Sequence, residues 1–559
     1  MNGWGFDDWR LPRRAKLGEW YGRIVVVAII GLLIFGATFR AGIDRGMDRL
    51  VSMEGYGRIL NAIAAVMTEQ RFHQGGYALS NCIHNELERR GFTVDPEIAK
   101  RAGSTVPQNL RAHFLDKMLE DMQHDLPKLA DYCGTAIRGL GGDDVGYVDF
   151  AKIAFFLFGL QIRAFYYLFF WIYALTLFVA LIERHRDPMG QIILLSAAGL
   201  IYVSCYYSDF LLLPEPGGSG NMLNPRFMPV LALVPGIHLL LMLVDKAAPN
   251  WWRLAIVIIQ SGVIFLAVHI RLSAIWWVPA LLLAAVVLFL LSLKDSKGRA
   301  EGWRSVAYRG LVAEWPALVS LVVILGSLKA VGWSLHPTYR EGGWVPYHTV
   351  WHAIYFSLQL HPKYAEKYGA YHEGKSGDEM PFAGALAYLK EHPEEDKPEL
   401  FIAGRSLKYS ALERLARLAF FEFLRRDPWF VFETFVIVKG KSIWNTLVDA
   451  TVTEWNRAGW KAQLLFFLII ALIGGMAAQR LVELQRLSRL ATVVTVGAVS
   501  SLSIPFLTLV TPQTMTEEIM AIQMAAVLLL SLAAAHLIRA TARYRFANSK
   551  STMVTRPAE

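Results

Sequence analysis

Ten separate runs of about 20 mostly apolar residues constrain this chain more than any other feature, because each can carry a helix across a bilayer. They cover positions 24–39, 164–182, 192–213, 227–244, 254–270, 272–293, 313–331, 462–478, 490–510 and 519–537. In hydrocarbon every backbone N–H and C=O needs an internal partner, so such runs fold as helices. Composition agrees: of 559 residues, 54% are hydrophobic and 18% charged. A soluble chain of this length would split into several domains, each needing a charged surface that this composition lacks. The apolar content excludes disorder, and 3 Cys exclude a disulfide scaffold. The expected fold class is an all-α polytopic membrane protein.

The net charge of +9 reads as a positive-inside bias and not as a nucleic-acid footprint. Arg10, Arg13, Arg14, Lys16 and Arg23 precede the first run. Arg184, Arg186, Lys246, Arg253, the cluster from Lys294 to Arg309, Arg480, Arg486, Arg489 and the tail after Arg539 fall on the same side if there are ten spans. The short loops opposite hold only Arg226 and Arg271. Segments 1–23 and 538–559 are therefore expected in the cytoplasm. The first run lacks a cleavage pattern and reads as a retained anchor. Segments 40–163 and 332–461 become two large loops on the far side, flanking spans 2–7 (164–331) and followed by spans 8–10 (462–537). Their polar content explains a mean hydropathy that is only modestly positive. The stretch 150–160 is apolar but too short to span, and fits an interfacial or re-entrant helix. Cys82 and Cys133 share the first large loop, where an oxidising compartment permits a disulfide. Cys205 reads as a packing residue.

Residues able to carry chemistry concentrate near the far side. Asp44, Asp48 and Glu54 follow the first run and suit a general base or a divalent cation; a solvated helix start paired with Arg45, Arg49 and Arg58 is the competing account. Arg226 opens the fourth run, where a guanidinium can hold a phosphate bidentately or snorkel to headgroups. His348 and His352 would share a helical face, two of four His between 348 and 372, and suit phosphate, metal or a structural role. Lys439 and Lys441 suit a lipid-linked phosphate or anionic headgroups. Asp143, Asp144 and Asp149, with Tyr147, form a second acidic cluster; Tyr206, Tyr207, Ser208, Asp209 and Glu215 could hydrogen-bond a sugar. His238, His269, Glu314 and Lys329 are ionisable groups within or beside runs, the last two placed for interfacial exposure. Leu412, Leu415, Leu418 and Phe421 recur at a near-helical interval and mark a packing face. There is no Walker A loop, G-x-G-x-x-G, H-E-x-x-H or C-x-x-C.

Four segments carry a resemblance. Glu54-Gly55-Tyr56 is similar to a D-E-x-x-Y-like setting, although a single Glu replaces the acidic pair, which leaves Asp48 or Asp44 as alternatives. Asn224-Pro225-Arg226-Phe227-Met228-Pro229 is similar to an R-[YF]-x-x-P start, with Pro229 one position early, and Trp351-His352 with Tyr355 and Leu358 to a W-H-x-x-Y-x-x-L segment. Residues 410–424, the break at Arg425-Arg426-Asp427-Pro428-Trp429 and the Lys439-Gly440-Lys441 helix complete the set. Together they resemble the GT-C class of integral-membrane glycosyltransferases of bacteria. The resemblance implies about ten membrane helices with two large helical periplasmic loops, in the inner (plasma) membrane. It implies transfer of a sugar from a polyprenyl-phosphate donor to a glycan, lipid or protein acceptor, with a divalent cation such as Mg2+ or Mn2+ as a possible cofactor. Catalysis would fall to Glu54, Asp48 or Asp44, and donor-phosphate binding to Arg226, His348, His352, Lys439 and Lys441. Tyr56, Asp144, Asp149, Tyr207, Asp209 and Trp351 would meet sugar or acceptor. A lipid-linked glycan transporter or flippase, a membrane O-acyltransferase using His352, and a non-catalytic assembly component are the alternatives.

Overall fold

The computed structural model describes residues 145–207, 225–296, 312–334, 350–375, 377, 379–402, 406–508 and 515–554. Helix α1 (Val145–Phe158) leads through Gly159, at φ +85°, into α2 (Arg163–Glu183), followed by α3 (Pro188–Tyr207). A 3-10 turn, Met228–Ala232, opens α4 (Leu233–Val244), then α5 (Trp251–Ile270), a second 3-10 turn at Leu272–Trp276, α6 (Trp277–Ser296) and α7 (Trp315–Ser334). The short helices α8 (Val350–Phe356) and α9 (Tyr364–Tyr368) precede α10 (Glu379–Glu391). A two-residue antiparallel ladder pairs β1 (Phe401–Ile402) with β2 (Ser406–Leu407). Then come α11 (Tyr409–Arg426), α12 (Pro428–Phe432), a π-helical stretch Glu433–Val438, α13 (Lys439–Gln479), α14 (Leu481–Ser501), α15 (Ser503–Thr508) and α16 (Thr516–Val554).

Among the described residues, six helical segments are long and apolar enough to cross a membrane: Arg163–Glu183, Trp251–Ile270, Leu272–Lys294, Trp315–Trp333, Leu481–Thr508 and Thr516–Tyr544. Pro188–Ile201, Met228–Val244 and Gln463–Gln479 are apolar but shorter. The protein is thus an all-α membrane protein. The first expected span, 24–39, lies outside the described residues. Run 227–244 departs most from expectation. Pro229 holds its first turn as a 3-10 helix, and the remaining 12 residues of α4 rise only about 18 Å. All 12 are buried, so α4 is surrounded by protein and has no lipid-facing side to match to the bilayer. Close approach explains one glycine there: a Cβ on Gly236 would meet the Trp277 ring at 2.1 Å.

An ion network ties one end of the bundle together. Arg486 of α14 donates to Asp245 at 2.6 and 2.8 Å and to Asp187, while Arg184 reaches Asp245 and lies 2.6 Å from Glu183. Arg253 completes it, 3.3 Å from Glu183. This joins the end of α2, the start of α3, the end of α4 and the starts of α5 and α14. Asp187 doubles as a cap, accepting from the Gly190 amide at 2.9 Å. Glu314, at the start of α7, was expected to be interfacially exposed but is buried at 5% exposure. Burial pushes its carboxyl up to about 7, opposed in part by Lys246. Lys329 is exposed, with its ammonium 5.7 Å from the Trp333 ring.

The other end carries a helical layer with a core of its own. Leu412, Leu415, Ala416, Ala419 and Phe423 of α11 bury against Tyr355 and Leu358 of the α8 segment and Met380 and Leu389 of α10. The packing face of α11 therefore differs from the expected one at its C-terminal end: Phe421 is half exposed, and Ala419 and Phe423 take the inward positions. Glu413 accepts from the amides of Val350, Trp351 and His352 at 2.6, 2.8 and 3.1 Å, satisfying the orphan N–H groups that begin α8. The break expected after Arg426 is present. Asp427 ends α11 and caps α12, accepting from the Phe430 amide at 3.1 Å.

Candidate functional site

The layer meets the bundle at Lys439. Its side chain is fully buried, and its ammonium donates to Ser357 Oγ and to the Leu507 carbonyl, both at 2.9 Å. Ser357 can accept because its own hydroxyl proton goes to the Ala353 carbonyl at 2.7 Å. The Leu507 carbonyl lies in the last turn of α15, where a cation complements the helix dipole. The Phe435 ring, 4.4 Å from the ammonium, covers a third side. Among the described residues no carboxylate pairs with it, and burial pushes the amine down to about 7. Lys441, two residues on, is exposed. The two lysines grouped together in the sequence therefore occupy different environments.

Three of the four clustered histidines are described, and each has a different task. His372 is buried between Tyr355, whose hydroxyl lies 2.7 Å from Nε2, and the Tyr368 carbonyl, 3.1 Å from Nδ1. Nδ1 must donate to that carbonyl, so Nε2 accepts from Tyr355; burial pushes the imidazole down and favours this neutral form. His361 accepts the Lys363 amide on Nδ1 at 3.1 Å, which leaves Nε2 to carry the proton 3.3 Å from Glu433. His352 is half-buried beside Phe356 and Phe382. Trp351, expected at a sugar, packs against Phe420 and Phe421 of α11, with centroids at 6.0 and 5.3 Å.

At the same end of the bundle, Asp149 of α1 meets His269 of α5 at 3.0 Å and Lys152 at 3.6 Å. All three are buried. A Cβ on Gly146 would strike the His269 carbonyl oxygen at 2.1 Å, so glycine lets α1 approach closely enough for this pair. The sequence placed Asp149 among solvated or sugar-facing carboxylates; the structure gives it buried basic partners. Arg226 is half-buried in the turn before Met228. Tyr207 is the last residue of α3. Glu54, Asp48, Asp44, Tyr56, Asp144, Asp209, His348, Cys82 and Cys133 lie outside the described residues.

Two carboxylates went unnoticed in the sequence. Glu517 and Glu518, in the first turn of α16, are buried at 2% and 1% exposure. The Trp277 indole N–H donates to Glu517 Oε1 at 2.7 Å, and Trp276 stacks on Trp277 at 4.2 Å. Met515 and Ile519, which flank the pair, pack with Ile443, one turn beyond Lys439. The signal for them was an acidic pair just outside an apolar run. Among the described residues one metal-like grouping occurs: donor atoms of Glu391, His392 and Glu422 lie within 4.8 Å of one another. Arg426 already pairs with both of its carboxylates, at 2.5 Å from Glu391 and 2.6 Å from Glu422. Set against known proteins, the chain matches no family model, and no curated protein or solved structure is significantly similar to it.

Proposed function

We propose that the protein is a membrane glycosyltransferase that moves a sugar from a polyprenyl-phosphate donor to a glycan, lipid or protein acceptor on the face of the membrane bearing the helical layer. The observation that carries this reading is the docking of that layer, through buried Lys439, onto the bundle end where Arg226 and the Glu517–Glu518 pair lie. A lipid tail requires an apolar surface between or beside helices, and its phosphate requires cations at the membrane edge; Arg226 and exposed Lys441 suit the phosphate. His352, and His348 outside the described residues, are the further candidates. The burial of Lys439 suits a positioning role, holding the layer over the bundle. Glu54, with Asp48 and Asp44 in reserve, would take the proton from an acceptor hydroxyl. The hydroxyl oxygen then bonds to the anomeric carbon as the bond from that carbon to the phosphate oxygen breaks, releasing polyprenyl phosphate.

The test is turnover of polyprenyl-phosphate sugar by purified protein in lipid. Glu54→Gln should abolish transfer while leaving the protein folded; full activity in both Glu54→Gln and Asp48→Asn overturns the assignment. A second reading, a lipid-linked glycan transporter, draws support from the buried Glu517–Glu518 pair, since ionisable groups inside membrane helices are costly and commonly functional. It predicts lipid-linked sugar movement between leaflets that Glu517→Gln impairs, without glycosidic bond formation.

A further inference from the structure

The first half of α13 divides into three faces. Ile443, Leu447 and Ala450 pack against Met515 and Ile519. Asn445 and Asp449, four apart, are exposed and polar. Between these faces lies an apolar row at spacings of four, four and three: Trp444 at 67% exposure, Val448, Val452 at 51% and Trp455. A water-facing helix needs two faces, one packed and one polar. A third face, apolar and bearing Trp, calls for a third medium.

What lies at the end of this row identifies that medium. At Gly459, φ +69° and ψ 167° bend α13, a conformation that favours glycine. Beyond the bend, the apolar segment Gln463–Gln479 exposes Leu464 and Leu468 as a membrane helix does to acyl chains. Trp460, between the two segments, is 68% exposed. The exposed apolar surface thus runs from the lipid-facing side of this segment, past a single bend, onto the row above it. Tryptophan favours the boundary where headgroups meet hydrocarbon, and Lys441 at the start of the row can reach lipid phosphates.

We propose that residues 439–459 form an interfacial helix whose Trp444–Trp455 row is covered by the headgroup region of the leaflet that segment Gln463–Gln479 enters. The helix is about 30 Å long and begins at Lys439, so the lipid surface sets the height at which the layer stands over the bundle. This holds whatever reaction the protein performs.

Site-directed spin labelling of the full chain tests it. Nitroxides are placed singly at 445, 448, 449 and 452 in a Cys82→Ser, Cys133→Ser, Cys205→Ser background, in vesicles of phosphatidylethanolamine and phosphatidylglycerol. Power saturation should give an oxygen-to-nickel accessibility ratio several-fold higher at 448 and 452 than at 445 and 449. Equal ratios at all four positions would mean that water covers the row. Exclusion of both reagents from 448 and 452 would mean that protein covers it, another segment of this chain or a second copy. Either result overturns the proposal. The unsubstituted protein supplies an independent reading: a lipid-soluble diazirine should label the peptide carrying Trp444, and hydroxyl radicals generated in water should leave that Trp unoxidised. The reverse pattern also overturns it.

Discussion

Replacing Lys439 by Met tests the central joint of the molecule. The two side chains have similar length, but Met carries no charge to desolvate and no proton to donate. In the native protein the amine falls from its ordinary 10.5 to about 7. The unfolded chain therefore holds one more proton than the folded chain between those values, and stability rises with pH across that window. Its contribution is complete above 10.5 and is lost as pH falls to 7. The full span of 3.5 units corresponds to an upper bound of about 5 kcal/mol. Met forfeits the bonds to Ser357 and Leu507, roughly 1–3 kcal/mol at any pH. Between pH 6.5 and 8.5 the stability difference should therefore move by roughly 2 kcal/mol in favour of the native protein, about 1.5 of those pH units lying inside the window. Equilibrium unfolding by dodecyl sulfate in mixed micelles, repeated over pH, measures this. Parallel pH profiles for the two proteins would refute the reasoning, because they require an amine that titrates alike folded and unfolded.

Two further substitutions probe the frame around that joint. Arg486→Met leaves Asp187 and Asp245 with Arg184 as their remaining described cationic partner; breaking such a partly buried network should cost about 3–5 kcal/mol in the same unfolding assay, and Arg486→Lys less. Gly459→Ala places a Cβ at positive φ and should cost about 1–2 kcal/mol. It should also lower the oxygen-to-nickel contrast between 448 and 449 if the bend sets the orientation of the surface helix.

How much of this was legible depended on whether a feature is local. Apolar runs report directly on helices, so most of the expected spans have a helix at the same place, and the break at Asp427-Pro428 followed from proline alone. For run 227–244 hydropathy marked the helix but could not say whether lipid or protein wraps it; α4 is wrapped in protein. Glu314 misled for a related reason: proximity to a span end suggests water, but burial there depends on what packs over it. On α11, the near-helical interval found Leu412 and Leu415 and then drifted to Phe421, because Ala416 and Ala419 are inconspicuous in a sequence yet fill the contact. Lys439 and Lys441 look equivalent in sequence, and only tertiary packing separates a buried amine from an exposed one.

The treatment of charge differs between the two ends of the bundle. At the end holding Arg184 and Arg486, Glu183, Asp187, Asp245 and Glu483 each have a nearby guanidinium, and this network acts as a clamp, with buried Glu314 standing outside it. At the layer end Asp149 is likewise answered by His269 and Lys152, yet Lys439 holds its ammonium on a hydroxyl, a carbonyl and a ring. Glu517 meets an indole N–H, and among the described residues neither it nor Glu518 forms an ion pair. A buried amine and two buried carboxyls, none ion-paired among the described residues, are an expensive arrangement for stability alone, since well-packed apolar residues would serve as well or better. A fold that needed only cohesion would have paired them or dispensed with them. Their retention at the end where the layer docks makes that end the place to look for a charged or proton-accepting step, and the balanced end the place to look for rigidity.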